Sequence, residues 1–297
     1  MSITGMNTAH VAVIGGSGFY QMAGLTDVEE LRLETPFGPP SDAIVIGTLA
    51  GVRLAFLPRH GAGHRLLPSE LPAHANIWAL KSLGVERIIA VSAVGSLREE
   101  IAPQHMAVPD QLIDRTRGRP SSFFGGGLVA HIAFDEPFCP VLGGLLADAA
   151  GSVGATVHQG GTYVVTEGPS FSTKAESHLY RSWGADVIGM TALPEAKLAR
   201  EAEICYAMLA LVTDYDTWHD KHDPVSAELV MENLNRNVEV AKQVVAVAVG
   251  TLPATRNCPC SSALASALVT PPELVPEETK RKLAPILDRY LSVGAAD

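Results

Sequence analysis

The chain has 297 residues, 47% apolar and 18% charged, with a formal net charge of −10. That length suits one large domain or two small ones, and the composition is that of a folded globular chain rather than a disordered one. The acidic balance argues against non-specific binding to nucleic acid or a membrane surface, no apolar run approaches the ~20 residues of a membrane span, and the start MSITGMNTAH lacks a secretory signal, so a cytoplasmic protein is expected.

HVAVIGGSGFY (His10 to Tyr20) reads as a buried strand entering a Gly-rich turn. Gly16-x-Gly18 begins a dinucleotide fingerprint, but the third position is Gln21, and no Gly-Lys-Ser/Thr follows for a triphosphate loop. The turn is either an anion cradle of bare N–H groups and the Ser17 hydroxyl, or a plain tight turn.

DAIVIGTL and VRLAFLPRHG are two further strands. The second ends in Arg59 and His60, with His64 and Arg65 just behind. Such clustered donors suit a phosphate or carboxylate, Arg59 offering a planar fork. His60 and His64 make a poor metal pair, because the glycines between them oppose a helix and no third ligand is near. Each is equally readable as a structural histidine.

Ala73 to Gly84 has helical spacing at Ile77, Leu80 and Lys81, with Gly84 as terminator. ERIIAVSAVGS is a strand in which Ser92 and the Ala93 backbone offer neutral donors to the same anion, unless they simply pack a turn. HMAVPDQLI and GTYVVTEGP are read as strands too. Phe171 then precedes a helix with Thr173 and Glu176 at capping-box spacing; an aromatic there stacks on a planar ligand or joins the core.

Met190 and Thr191 lead into PEAKLAREAEI, a helix with Pro194 in its first turn. Met190 fills the core or packs a sugar face. CYAMLALVT is a buried strand that runs into Thr213, Asp214, Tyr215 and Asp216, and two carboxylates at such a place are costly unless something uses them. Ser226 to about Val249 is a long amphipathic helix. Alternating strands and helices imply an α/β layered domain.

From Thr251 to Pro272 the composition turns to Pro, Cys, Ser and Ala, a linker before a last helix over Pro276 to Leu291. That end is a docked tail, a subunit contact or a mobile segment. Cys139, Cys205, Cys258 and Cys260 are too few and scattered for a disulfide framework. Cys258-Pro259-Cys260 suits a strained disulfide or a soft metal, but with no second Cys pair to complete a tetrahedron no metal site is expected.

Taken in order, VIGGSGFY, TPFGPPSDAIVIG, PRHGAGHRLLPSE, ANIWALKSLG, SAVGSLREEIAP, QLIDRTRGRPSSFF, EGPSFSTKAES, WGADVIGMTALPEAKLAREAEICYA and VTDYDTW resemble the methylthioadenosine phosphorylases of the trimer-type purine nucleoside phosphorylase superfamily. The resemblance spans about Val11 to Val249. It implies a single-domain three-layer α/β/α nucleoside phosphorylase fold, with a central mixed, partly barrel-like sheet flanked by helices. It places the catalytic domain at residues 1–250, and a linker with a C-terminal helix at 251–297.

The implied reaction is phosphorolysis. Inorganic phosphate, a co-substrate with no further cofactor, attacks the anomeric carbon of 5′-methylthioadenosine to give adenine and 5-methylthioribose 1-phosphate, in purine and methionine salvage. The alternative is a broader phosphorylase acting on adenosine, inosine or methylthioinosine. A homotrimer, or a hexamer as a dimer of trimers, is the implied assembly.

By the resemblance, phosphate sits among Ser17, Arg59, His60, Ser92, Ala93 and Thr191. Phe171 lines the base, Met190 packs the ribose, and Val225, Val230 and Met231 form an apolar wall for the 5′ group. His131 would arrive from a neighbouring subunit. Cleavage builds oxocarbenium character on the ribose and negative charge on the purine, so N7 needs a proton or hydrogen bond. That role falls to Asp214, its carboxyl raised by burial, while Asp216 accepts from the 6-amino group. The 6-oxopurine branch typically has Asn in place of Asp214 and Glu in place of Ser172, so Asp214, Asp216 and Ser172 together favour a 6-aminopurine. Ser170 stands where many members carry Arg. Some thermostable relatives have counterparts of the C-x-C tail, with a disulfide as one possibility there; reduced thiols are expected in a cytoplasm.

Overall fold

Both parities of the central strands are apolar, and the molecule is layered accordingly. In strand β1 (Val11–Gly15) Val11 and Val13 face one core while Ala12 and Ile14 face the other, and every residue of the strand is buried. The structure, a computed structural model, describes residues 8–16, 22–219 and 226–291.

After β1 come β2 (Thr26–Leu31), β3 (Ile44–Leu49) and β4 (Val52–Pro58), then helix α1 (Ala73–Ser82) and the long β5 (Arg87–Ser96). Short strands β6 (Met106–Val108) and β7 (Gln111–Arg115) precede α2 (Pro140–Ser152), β8 (Val157–Gln159) and β9 (Thr162–Thr166). Next are α3 (Lys174–Ser182), β10 (Val187–Gly189), α4 (Ala192–Glu201), β11 (Cys205–Asp214) and α5 (Ala227–Gly250). Two short helices, α6 (Glu277–Lys282) and α7 (Ala284–Leu287), close the described chain.

All of these strands join one mixed sheet in the order β2-β3-β4-β1-β5-β10-β9-β7, with β11 paired to β5 and leading on to β6 and β8. Strand β5 is the fork. Its first half pairs in parallel with β1, its last residues pair antiparallel with β10, and β11 runs parallel along nearly its whole length. Helices α2 and α5 cover one face over Val11, Val13, Ile89, Val91, Leu209 and Leu211. Helices α1, α4 and α7 cover the other, over Ala12, Ile14, Ile88, Ala90, Met208 and Ala210. The expected three-layer arrangement with a mixed central sheet is therefore present.

Local signals explain most boundaries. Gly84, at φ +87°, follows α1 in the left-handed conformation that stops a helix. Thr173 and Glu176 close the capping box of α3 in both directions. Helix α4 breaks at Leu193 (φ −115°, ψ 139°), so regular helix begins at Pro194 as its sequence suggests.

Three expectations need correction. HMAVPDQLI is two strands, because Pro109 has no N–H to offer a ladder and Asp110 begins a turn. The last helix is interrupted at Leu283, where Pro285 cannot continue α6. The cysteines are not scattered in space: the Sγ atoms of Cys139, Cys205, Cys258 and Cys260 lie within 4.8 Å of one another. The segment after Thr251 has little regular structure, yet Cys260, Leu264 and Ala267 are buried, and Ala267 O accepts from His131 N at 2.8 Å. It is docked.

Candidate active site

Strands β1, β4, β5 and β11 are parallel, or follow one another in parallel register, so their carboxyl ends meet at one edge of the sheet. Open α/β sheets bind ligands at such an edge. Here it opens into a cavity of about 540 Å³ lined by Gly16, Arg59, His60, Ser92, Ala93, Phe171, Ser172, Met190, Thr191, Asp214, Asp216, Val230 and Met231, among others. Every sequence-selected site residue within the described chain lines this cavity, except His131. Ser17 and Val225 lie outside the described residues.

One side of the cavity carries donors. Arg59 is 2% exposed, and its fork is turned onto Glu195, with Nε to Oε1 at 2.6 Å and Nη2 to Oε2 at 3.1 Å. Its Nη1 donates to Val91 O at 2.8 Å and Nη2 to Ile14 O at 3.4 Å. The fork is therefore held by Glu195: a guanidinium this deep needs a counter-charge, and one of the ~5 N–H groups of an arginine remains for a ligand. Burial opposes the charge of Arg59, but Glu195 more than offsets it, so the group stays ionised. Ser92 Oγ and Thr191 Oγ1 are 2.9 Å apart, and Ser92 Oγ also reaches Ala93 O at 3.3 Å, a long bond that a ligand oxygen at the cavity would compete with.

His60 is neutral. Burial lowers it to about 4, with Arg59 and His64 pushing the same way. Its Nδ1 lies 2.8 Å from Leu66 O, which only accepts, so Nδ1 carries the proton and Nε2 is an acceptor. The His64 ring stacks on it at 4.2 Å.

The other side carries the two carboxylates. In β11 the register against β5 shifts between Val212 and Asp214, a bulge that re-aims the strand end. The carbonyls of Val212 and Thr213 that face α5 accept from Asn237 Nδ2 (3.0 Å) and Asn233 Nδ2 (2.7 Å). Asp214 accepts from Thr213 Oγ1 at 2.7 Å and from the Asp216 amide at 2.8 Å. Burial pushes its carboxyl up to about 6; Asp216 adds to this and the two hydrogen bonds oppose it. Asp216 adopts φ +47°, is raised by burial as well, and its buried Oδ2 has no hydrogen-bond partner among the described residues. An orphaned acceptor at a cavity wall is a place for a ligand N–H.

Helix α5 forms the third wall with Val230, Met231, Leu234 and Val238. Phe171, 44% exposed, presents its ring at the rim. Arg119, outside the cavity lining, fixes the backbone at Met190: its Nη1 donates to Met190 O (2.7 Å) and Leu193 O (2.8 Å), and its Nε pairs with Glu167 at 3.1 Å. Sequence reasoning missed Glu195, Arg119, Asn233 and Asn237. Only the last two left a signal, a pair of asparagines one helical turn apart on an otherwise apolar face.

His131 is exposed and does not line the cavity of its own chain.

A family model described as the phosphorylase superfamily matches residues 10–249. The chain is 62% identical over 287 residues to the S-methyl-5′-thioadenosine phosphorylase of Gloeobacter violaceus, covering 95% of this chain and 96% of that one. A crystal structure of methylthioadenosine phosphorylase from an antarctic soil metagenomic library superposes with a TM-score of 0.91 at 52% identity, over 95% of this chain and 99% of that one. A variant of the adenosine/methylthioadenosine phosphorylase of Schistosoma mansoni, in complex with adenine, superposes at 0.79 with 36% identity, over 84% of this chain and 93% of that one.

Proposed function

The chain belongs to the phosphorylase superfamily, and from that premise we propose that it is a pentosyltransferase for 5′-methylthioadenosine, releasing adenine and 5-methylthioribose 1-phosphate against inorganic phosphate. The observation that carries this reading is a spacing. Ser92, on the donor side, and Gly95, which abuts Asp214, are three residues apart on β5, or about 10 Å at the rise of a strand. That is room for a ribosyl group between an oxyanion and a purine.

Phosphate would lie among Ser92, the Ala93 backbone, Thr191, the last Arg59 N–H and His60, with Ser17 completing the set. Because His60 Nε2 accepts, it fits a phosphate oxygen that still bears its proton, leaving the unprotonated oxygens for the donors and for attack on the anomeric carbon. As the glycosidic bond lengthens, Asp214 gives a proton or strong hydrogen bond to purine N7. The Asp216 Oδ2 takes the 6-amino hydrogen, beside Ser172 and with Phe171 over the base. Met190 packs the ribose, and Val230 and Met231 receive the methylthio group.

A homotrimer, or a dimer of trimers, in the cytoplasm belongs to the same proposal. Its support is that His131 and the apolar Val129 and Val269 beside it are exposed, and that none of the three lines the cavity of its own chain. A second reading is broader base or 5′ specificity; the relative from Schistosoma mansoni is named for both adenosine and methylthioadenosine. Turnover of methylthioadenosine, methylthioinosine, adenosine and inosine, with and without phosphate, separates the two. Methylthioadenosine should lead and require phosphate; a preference for inosine would defeat the assignment.

A further inference from the structure

Four cysteines far apart in sequence meet beneath the amino-terminal end of β11. Cys139 caps the start of α2, Cys205 is the first residue of β11, and Cys258 and Cys260 flank Pro259 in a single tight turn of the docked segment. Their four Sγ atoms lie within 4.8 Å of one another, three of the residues are buried, and Cys205 Sγ is 3.3 Å from Cys258 Sγ. Metal–sulfur bonds of about 2.3 Å give a tetrahedron whose sulfurs are roughly 3.8 Å apart, so the thiols already bracket the required edge length.

We propose that Cys139, Cys205, Cys258 and Cys260 bind one tetrahedral zinc ion that fastens the docked carboxyl-terminal segment to the sheet and to α2. The donor set is all sulfur, which selects a soft divalent ion over magnesium or calcium, and the spacing suits one ion rather than a multi-iron cluster. Binding releases the four thiol protons and leaves a centre of net charge −2. Positive groups border it: the buried Arg200 has Nη1 3.8 Å from Cys260 Sγ, and Arg87 and Arg256, which share Glu86 at 3.5 and 3.8 Å, line the small cavity beside the cysteines. The other groups of Arg200 and Arg87 are fixed by Glu136 O and Pro253 O, which holds both cations beside the sulfurs.

Four protein ligands leave no open position, so the ion is structural. It also sits at the far end of β11 from Asp214, about 30 Å away at strand rise. The proposal does not depend on the assigned substrate.

Elemental analysis of protein purified under reducing conditions without chelator should find one zinc per chain. Cobalt added to the metal-free chain should give the charge-transfer and d–d bands of a tetrahedral tetrathiolate. In Cys260→Ser, bound zinc should fall to near zero. Because that variant can fail to fold, the wild-type chain is also titrated with a mercurial reagent, which should release the zinc and open residues 251–272 to protease. No zinc and no tetrahedral cobalt spectrum, with all four thiols free, would overturn the proposal. So would an intact mass showing the cysteines paired as disulfides.

Discussion

Arg59 and Glu195, 136 residues apart, close a buried two-pronged ion pair directly beneath the donor side of the cavity. The pair lets a positive charge wait in an apolar setting without a bound anion.

Glu195→Gln should therefore leave an uncompensated guanidinium and cost about 3–5 kcal/mol of stability. Inorganic phosphate should restore much of it, because the anion supplies the missing counter-charge. Thermal melts with and without phosphate check this: the phosphate-induced rise in Tm should be larger in the variant than in the wild-type chain. Equal rises would remove Arg59 from the phosphate site.

Asp214→Asn removes the proposed donor to N7 while keeping the shape of the side chain. Turnover of methylthioadenosine should drop by roughly 10²–10⁴, the usual contribution of a positioned acid, with the KM for phosphate little changed. Steady-state kinetics in both substrates test the split, and unchanged turnover would exclude Asp214 from the chemistry.

The same carboxyl links activity and stability to pH with a definite sign. Burial holds it at about 6 in the folded chain against 3.8 for an ordinary aspartate. Stability from this group is complete below the unfolded value and is lost as pH rises through about 6, a loss of about 3 kcal/mol by pH 8. Activity that needs the protonated form falls over the same range, so kcat/KM should decline above about pH 6. Asp214→Asn should flatten that limb and melt higher relative to wild type at pH 8 than at pH 4. A variant whose relative Tm does not change with pH would contradict the burial argument.

Gly95→Ala should mimic part of that loss from a position with no chemistry. A Cβ there would stand 2.9 Å from Asp214 Oδ1, 3.1 Å from Ile188 Cγ2 and 3.3 Å from Asp216 Cβ. Relieving this displaces the carboxylate pair, at a cost of about 1–3 kcal/mol in stability. Activity should fall more steeply than Tm; wild-type kinetics would show that the pair has room to spare.

The buried strands and their carboxylate ending were legible because a run of apolar residues that stops in two acids has few physical explanations. Glu195 was not, since PEAKLAREAEI reads as an ordinary amphipathic helix and nothing local marks one glutamate as the partner of an arginine in another element. Arg119 was hidden for the same reason, its acceptors being Glu167 just after β9 and the carbonyls of Met190 and Leu193 after β10, far from it in sequence. The cysteines show the limit most clearly: Cys139 and Cys260 are separated by most of the second half of the chain, and only the fold makes them neighbours. Helix α2 escaped notice because PVLGGLLADAAGS mixes glycine and alanine without a sharp polar face.

Strand β5 sets the donor side and the acid side of the cavity on one peptide ladder, whose pairing with β11 runs from Arg87 to Gly95. Slipping that ladder by one residue would turn every side chain to the opposite layer, so the proposed gap between nucleophile and leaving group would work as a fixed gauge. If the 5′ group lies against α5 as proposed, tolerance toward different 5′ substituents can drift on that separate helix while the proposed cutting distance stays the same.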